Sequence, residues 1–262
     1  MFFHGGHSNY RETLFHRGFP LDRFQLITPS RPGYEDTPLN ELKTPSDAAD
    51  LFAALLDELG MERCILVGIS AGGLAALAFA ARFPERVEKL LLISAVTQRW
   101  MLPDHPNYQR GRKLFAPRME KISWFLFRTG FRLLPRTMTR VLFDQLSTRK
   151  NARITPEEVE AVKGMTFQQS SGDGFVNDLE QTLAEKYLAA ISCPTLILHS
   201  ENDASVSIDM ATHAHKHIPQ SILKTYDNKW GHLLWVGDDS QAPIADVLTF
   251  LDAADENATF TA

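Results

Sequence analysis

The chain has 262 residues, 44% of them hydrophobic and 23% charged, with a formal net charge of -5. That length suits one large domain or a core with an inserted subdomain, and the composition is that of a globular protein in water. The mild acidity gives no case for nucleic acid. No apolar run reaches the roughly 18 residues of a membrane span, and two cysteines, Cys64 and Cys193, make no disulfide framework, so both are expected as buried reduced thiols.

In chain order, Met1-Phe2-Phe3 meets His4-Gly5-Gly6 at once. No signal peptide precedes that turn, so a cytoplasmic location is expected. A short apolar run at 24–28 predicts the first complete strand. A helix is predicted over 45–59, with Thr44 as cap, Pro45 at the first helical position, Asp47 in the first turn and Gly60 closing it. A strand at 64–67 then leads through Gly68-Ile69-Ser70-Ala71-Gly72 into an Ala-rich helix at 71–82. The next strand is predicted at 90–94. Strands at 195–199 and 222–226 and helices at 208–217 and 243–253 complete the alternation, which marks a parallel sheet covered by helices on both faces.

The alternation breaks over residues 97–192. This stretch has no strand-like run and is rich in aromatic and basic residues, among them Trp100, Phe115, Trp124, Phe131, Phe143, Arg110, Arg128 and Arg140. It reads as a helical insertion over the carboxyl edge of the sheet, where open α/β sheets bind ligands. At helical spacing its aromatics are expected to form the insertion's own core, and its arginines a solvated face. The run at 122–134, apolar with interspersed arginine, has the composition of a segment that docks on a membrane surface or meets lipid-like substrates. The domain reading is therefore a core of 1–96 and 193–262 with an insertion of 97–192.

A serine on a sharp strand-to-helix turn, with Gly68 and Gly72 two residues to either side, is a nucleophile elbow. The turn strains Ser70 and lifts its hydroxyl clear, while close neighbours leave no room for a Cβ at positions 68 and 72. A serine hydroxyl needs a base, and the base needs an orienting acid. The expected order of serine, acid, histidine is met by Asp203, just past the strand at 195–199, and His232, past the strand at 222–226 through Gly231. Glu201 and Asp209 are rivals for the acid. Among the nine histidines, His199 reads as a packed core residue, and His213 and His217 share a helix face at metal-ligand spacing but are expected to be solvated. The backbone N–H groups of Ala71 and Gly6 are the expected oxyanion donors.

These blocks, with Thr28-Pro29-Ser30-Arg31-Pro32-Gly33-Tyr34 and the stretch from Pro194 to Asp203, resemble the α/β-hydrolase superfamily with a helical cap, from His4 to about residue 253. The resemblance implies an eight-stranded, mostly parallel doubly wound sheet, a cap inserted after the sixth family strand, and a two-step acyl-enzyme mechanism. Ser70 at the elbow speaks against the branches that use a carboxylate nucleophile. Against the family pattern, the first two strands and most of the third have no sequence here, and the expectation is a late start. An uncovered sheet edge would invite pairing with a second copy.

The functional expectation is a serine hydrolase that cleaves a carboxylic ester or related acyl bond of a small apolar substrate, with no metal or organic cofactor. The rival readings are a lyase or cofactor-free oxygenase on the same scaffold, and a non-catalytic ligand receptor.

Overall fold

The computed structural model describes residues 1–253. Five strands, β1 (Phe2–Phe3), β2 (Cys64–Ile69), β3 (Val87–Ile93), β4 (Thr195–Ser200) and β5 (Ser221–Tyr226), lie side by side in that order. All four pairings are parallel, with Phe3 opposite Gly68, Ile69 opposite Ile93, Ile93 opposite Leu198, and Ser200 opposite Tyr226. Every strand therefore ends at the same edge, and the loops that follow share it.

Strand residues alternate between two faces. Leu90 and Leu92 point into one apolar cluster with Phe52, Leu77 and Phe79. Leu91 and Ile93 point into the other, with Trp230, Trp235, Val247 and Leu251. Each such side chain, fully buried, contributes roughly 1.5–3 kcal/mol. On the first face lie α1 (Pro45–Glu58) and α2 (Gly73–Arg82). α1 starts as the sequence predicts: Thr44 Oγ1 accepts from the Asp47 N–H at 3.1 Å, and Asp47 Oδ2 accepts from the Thr44 N–H at 2.8 Å. α2 reads GLAALAFAAR and is buried from Gly73 to Ala80. Its small residues let it lie close against the sheet.

Between β3 and β4 the described chain is helical: α3 (Pro106–Leu114), α4 (Glu120–Leu133), α5 (Pro135–Leu146), α6 (Pro156–Gln168), α7 (Gly174–Glu180) and α8 (Glu185–Ala189). Phe131 and Phe143 are buried, but in the same cluster as Leu91 and Leu198 of the sheet and Trp230 rather than in a core of the segment's own, while Trp124 is buried against His7 and Phe127. The run at 122–134 is two-sided, with Ile122, Phe125, Leu126, Leu133 and Leu134 exposed. After β4 come α9 (Ile208–His217), β5 and α10 (Gln241–Asp252). Both cysteines are free and buried. Among the described residues, no helix is long and apolar enough to cross a membrane.

One predicted strand is corrected. Residues 24–28 form no strand; they run beside β1, held by a single bond from the Phe2 N–H to the Ile27 carbonyl at 2.8 Å. β1 is only two residues long, too short to template a ladder. The helix predicted to begin at 71 opens instead with a tight 3-10 turn, Ser70–Gly72, and turns α-helical at Gly73.

Candidate active site

Two serines at the sheet edge hold left-handed backbone, Ser70 after β2 and Ser94 after β3, and Ser70 is the one at the turn into α2. It follows β2 directly and holds φ at +49°, a left-handed conformation that a side chain rarely adopts. The bend is fixed from both sides. The Val96 N–H donates to the Ser70 carbonyl at 2.9 Å. The loop after β1 passes so close over the turn that a Cβ on Gly72 would collide with the Phe3 carbonyl and lie 2.6 Å from that of His4. Gly68 faces α2, where a Cβ would meet Ala76 Cβ at 2.7 Å. Both glycines flanking the serine are thus required by close approach.

Asp203 and His232 come together. His232 Nδ1 lies 2.7 Å from Asp203 Oδ2, and both side chains are buried. A carboxylate only accepts, so Nδ1–H is the donor, and in the neutral ring the lone pair is then on Nε2. The other oxygen of Asp203 accepts from the Ser205 and Val206 N–H groups, each at 2.8 Å. Glu201 and Asp209, the rival acids, go elsewhere: Glu201 accepts from Thr225 and Asp209 from Ser207. Ser70 Oγ makes no hydrogen bond to His232 among the described residues. Acid and base are joined directly, while serine and base share the sheet edge. Such contacts are often long before substrate arrives.

The loop carrying His232 is stitched to its neighbours. Gly231 has φ +55°, and a Cβ there would lie 2.5 Å from both the Asn202 and Leu146 carbonyls. The Leu146 carbonyl, at the end of α5, accepts from the His232 N–H at 2.9 Å and the Ala204 N–H at 3.3 Å. Ser94 Oγ, just past β3, donates to the His232 carbonyl at 3.0 Å. The acid and base loops are thus braced by the helical segment. Neither Leu146 nor Ser94 is visible in sequence, because a backbone carbonyl has no residue signature and a lone serine carries no motif.

His199 is buried, as expected of a core histidine, but it also abuts the acid. Its Nε2 donates to the Val206 carbonyl at 2.9 Å and sits 3.5 Å from Asp203 Oδ2. Burial holds its pKa below the usual imidazole range, against the pull of Asp203. A neutral His199 thus borders the carboxylate.

Gly6 lies beside the elbow. A Cβ on it would be 3.9 Å from Ala71 Cβ and 3.2 Å from the Phe175 ring. The Gly6 N–H has no hydrogen-bond partner among the described residues. The loop that carries it is clamped by Arg31, whose Nε donates to the His4 carbonyl at 2.7 Å. His4 Nε2 in turn accepts from the Arg31 N–H at 2.9 Å. The Arg31 guanidinium grips Asp178 of α7 bidentately, 2.7 Å to each oxygen, and Tyr34 Oη donates to the same carboxylate at 2.5 Å. Arg31 lies in the Thr28 to Tyr34 block that carries the resemblance, but Asp178, 147 residues away from Arg31, had no sequence signal. Beside Gly6, His7 stacks on Phe175 at 3.8 Å and contacts Phe115 and Trp124. Burial pushes its pKa down to about 3, so it is neutral.

A strained serine after the second strand, a buried aspartate–histidine pair on the loops of the last two, and a parallel sheet with helices on both faces define a hydrolase of the α/β class. The family model of the alpha/beta hydrolase fold matches residues 2–237, and the chain belongs to that family. It is 39% identical over 256 residues to the uncharacterized hydrolase YcgS of Bacillus subtilis, covering 95% of this chain and 90% of that one. Among solved structures, an alpha/beta hydrolase fold protein from Nakamurella multipartita superposes with a TM-score of 0.72 at 22% identity, over 95% of this chain and 90% of that one. A thermophilic esterase from Thermogutta terrifontis superposes with a TM-score of 0.71, also at 22% identity, over 95% and 88%.

Proposed function

We propose that the protein is a serine hydrolase that cleaves a carboxylic ester or related acyl bond through an acyl-enzyme. The observation that carries this reading is the 2.7 Å bond from His232 to Asp203 on the edge where Ser70 is held in strained geometry. Ser70 Oγ attacks the acyl carbon while His232 Nε2 takes its proton. Asp203 holds the ring and stabilises the imidazolium. The N–H groups of Gly6 and Ala71 receive the oxyanion, the latter at a helix start where negative charge is favoured. His232 then protonates the leaving alcohol, and water repeats the sequence on the acyl-enzyme.

Residues 97–192 act as a cap that shapes the acyl site. Phe175, next to Gly6, with Phe115 and Trp124 around His7, favours an apolar acyl group. The resemblance to YcgS and to the Thermogutta esterase supports hydrolysis over the lyase, oxygenase and receptor readings. The test is a screen of esters, lactones, thioesters and amides with Ser70→Ala as the control. Turnover of an acyl substrate that vanishes in Ser70→Ala is expected. Turnover that persists in Ser70→Ala, or no turnover of any class, would overturn the proposal.

A further inference from the structure

Away from the sheet edge, Glu185 of α8 and His213 and His217 of α9 converge, with one ligand atom from each lying within 4.8 Å of the others. The two histidines are one helical turn apart, their rings 4.7 Å between centroids. His213 Nε2 lies 3.8 Å from Glu185 Oε1, and His217 Nε2 lies 3.6 Å from Glu185 Oε2.

The hydrogen bonds at the far side of each ring decide what faces the centre. His217 Nδ1 is 3.0 Å from the His213 carbonyl, which can only accept, so His217 carries its proton on Nδ1. His213 Nδ1 is 3.2 Å from Thr97 Oγ1. That hydroxyl gives its own proton to the Met210 carbonyl at 2.7 Å, so it accepts from Nδ1–H. In its neutral form, with the proton on Nδ1, each ring turns a bare Nε2 lone pair toward a carboxylate that also only accepts. Three acceptors meet with no donor between them, which is an arrangement that a cation completes. Contrary to the solvated side chains expected from the sequence, the rings are packed between α8 and α9, 11% and 21% exposed, whereas the Glu185 side chain is 67% exposed and free to adjust.

We propose that Glu185, His213 and His217 bind a divalent transition metal of the zinc type, with water in the remaining position. Two imidazoles and a carboxylate suit zinc, and bonds of about 2.0–2.1 Å require ligand atoms about 3.4 Å apart in a tetrahedron. The two histidine–glutamate separations, 3.8 and 3.6 Å, need a few tenths of an ångström of closure, and the remaining approach, from within 4.8 Å, falls to rotation of the exposed Glu185 side chain and the two rings. The Nδ1 bonds to Thr97 and to the helix carbonyl are the outer contacts that orient metal-bound histidines. The metal joins α8, the last helix of the insertion, to α9, which follows the Asp203 loop, so its role is to staple the insertion to the core rather than to act in catalysis.

The test is calorimetric titration of the full, untagged, EDTA-treated chain with zinc chloride, with the visible spectrum of the cobalt form reporting coordination. One zinc per chain is expected, with a rise in Tm and a tetrahedral cobalt spectrum. Glu185→Gln, on the surface, and His217→Ala, at a half-buried ring near the end of α9, should fold by circular dichroism and abolish the rise. Thr97→Val should weaken zinc about tenfold to a hundredfold. The absence of saturable binding, or binding that Glu185→Gln and His217→Ala leave unchanged, would overturn the site.

Discussion

Replacing Asp178 would test how the helical segment supports the chemistry at the sheet edge. Asp178 and Arg31 are 2% and 3% exposed at their side chains, and the carboxylate accepts two bonds from the guanidinium and one from Tyr34. Asp178→Ala leaves a buried guanidinium and phenol without their acceptor. Breaking such a pair costs about 3–5 kcal/mol, a large share of the 5–15 kcal/mol typical of a domain. Urea unfolding should show the midpoint fall with little change in slope. Arg31→Met with Asp178→Leu removes both charges and should restore most of the stability, since apolar replacements of buried pairs are often neutral. That double variant still lacks the bond from Arg31 Nε to the His4 carbonyl, so the Gly6 loop is no longer clamped. Its kcat for a p-nitrophenyl ester should drop toward the hundred- to thousandfold typical of a lost oxyanion donor, with KM nearly unchanged. A stable double variant with undiminished kcat would refute the clamp.

Asp203→Asn should keep the fold and lower kcat by about ten-thousandfold, because the amide no longer fixes the Nδ1–H form of His232; steady-state kinetics at constant KM reads this. Gly231→Ala places a Cβ 2.5 Å from two carbonyls at φ +55°, and should lower stability by about 2 kcal/mol or more in thermal unfolding. Glu12 gives a pH dependence. Burial raises its carboxyl from 4.5 to about 7. The folded state thus prefers the protonated form, and that contribution is complete below pH 4.5 and lost as pH rises through 7. At about 1.4 kcal/mol per pH decade the loss is about 3.5 kcal/mol in full. Urea midpoints between pH 5 and 8 should fall in the parent chain and stay flatter in Glu12→Gln.

The parts of the site that were legible in sequence are those with local signatures. Ser70 between Gly68 and Gly72 announces itself because the turn needs a helix start after a strand and admits no Cβ at its flanks. Asp203 and His232 were readable because strand-end loops of a parallel sheet meet at one edge. The strand at 24–28 failed because its apolar pattern is necessary for a strand but its partner β1 is too short to pair with it. Arg31 and Asp178 were out of reach for the opposite reason: each looks like a solvated charge until the chain brings them together. The same holds for Leu146, whose carbonyl binds the His232 loop, and for the facing lone pairs of His213 and His217, whose spacing was visible but whose tautomers depend on Thr97 and a helix carbonyl.

In the proposed mechanism Ser70 is the nucleophile and His232 activates it. The most direct measurement is labelling with a fluorophosphonate probe, followed by peptide mass spectrometry of the adduct. Stoichiometric phosphonylation at Ser70 is expected, lost in Ser70→Ala and slowed strongly in His232→Ala. Adduct formation on another residue, or none on Ser70 in a folded chain, would contradict it.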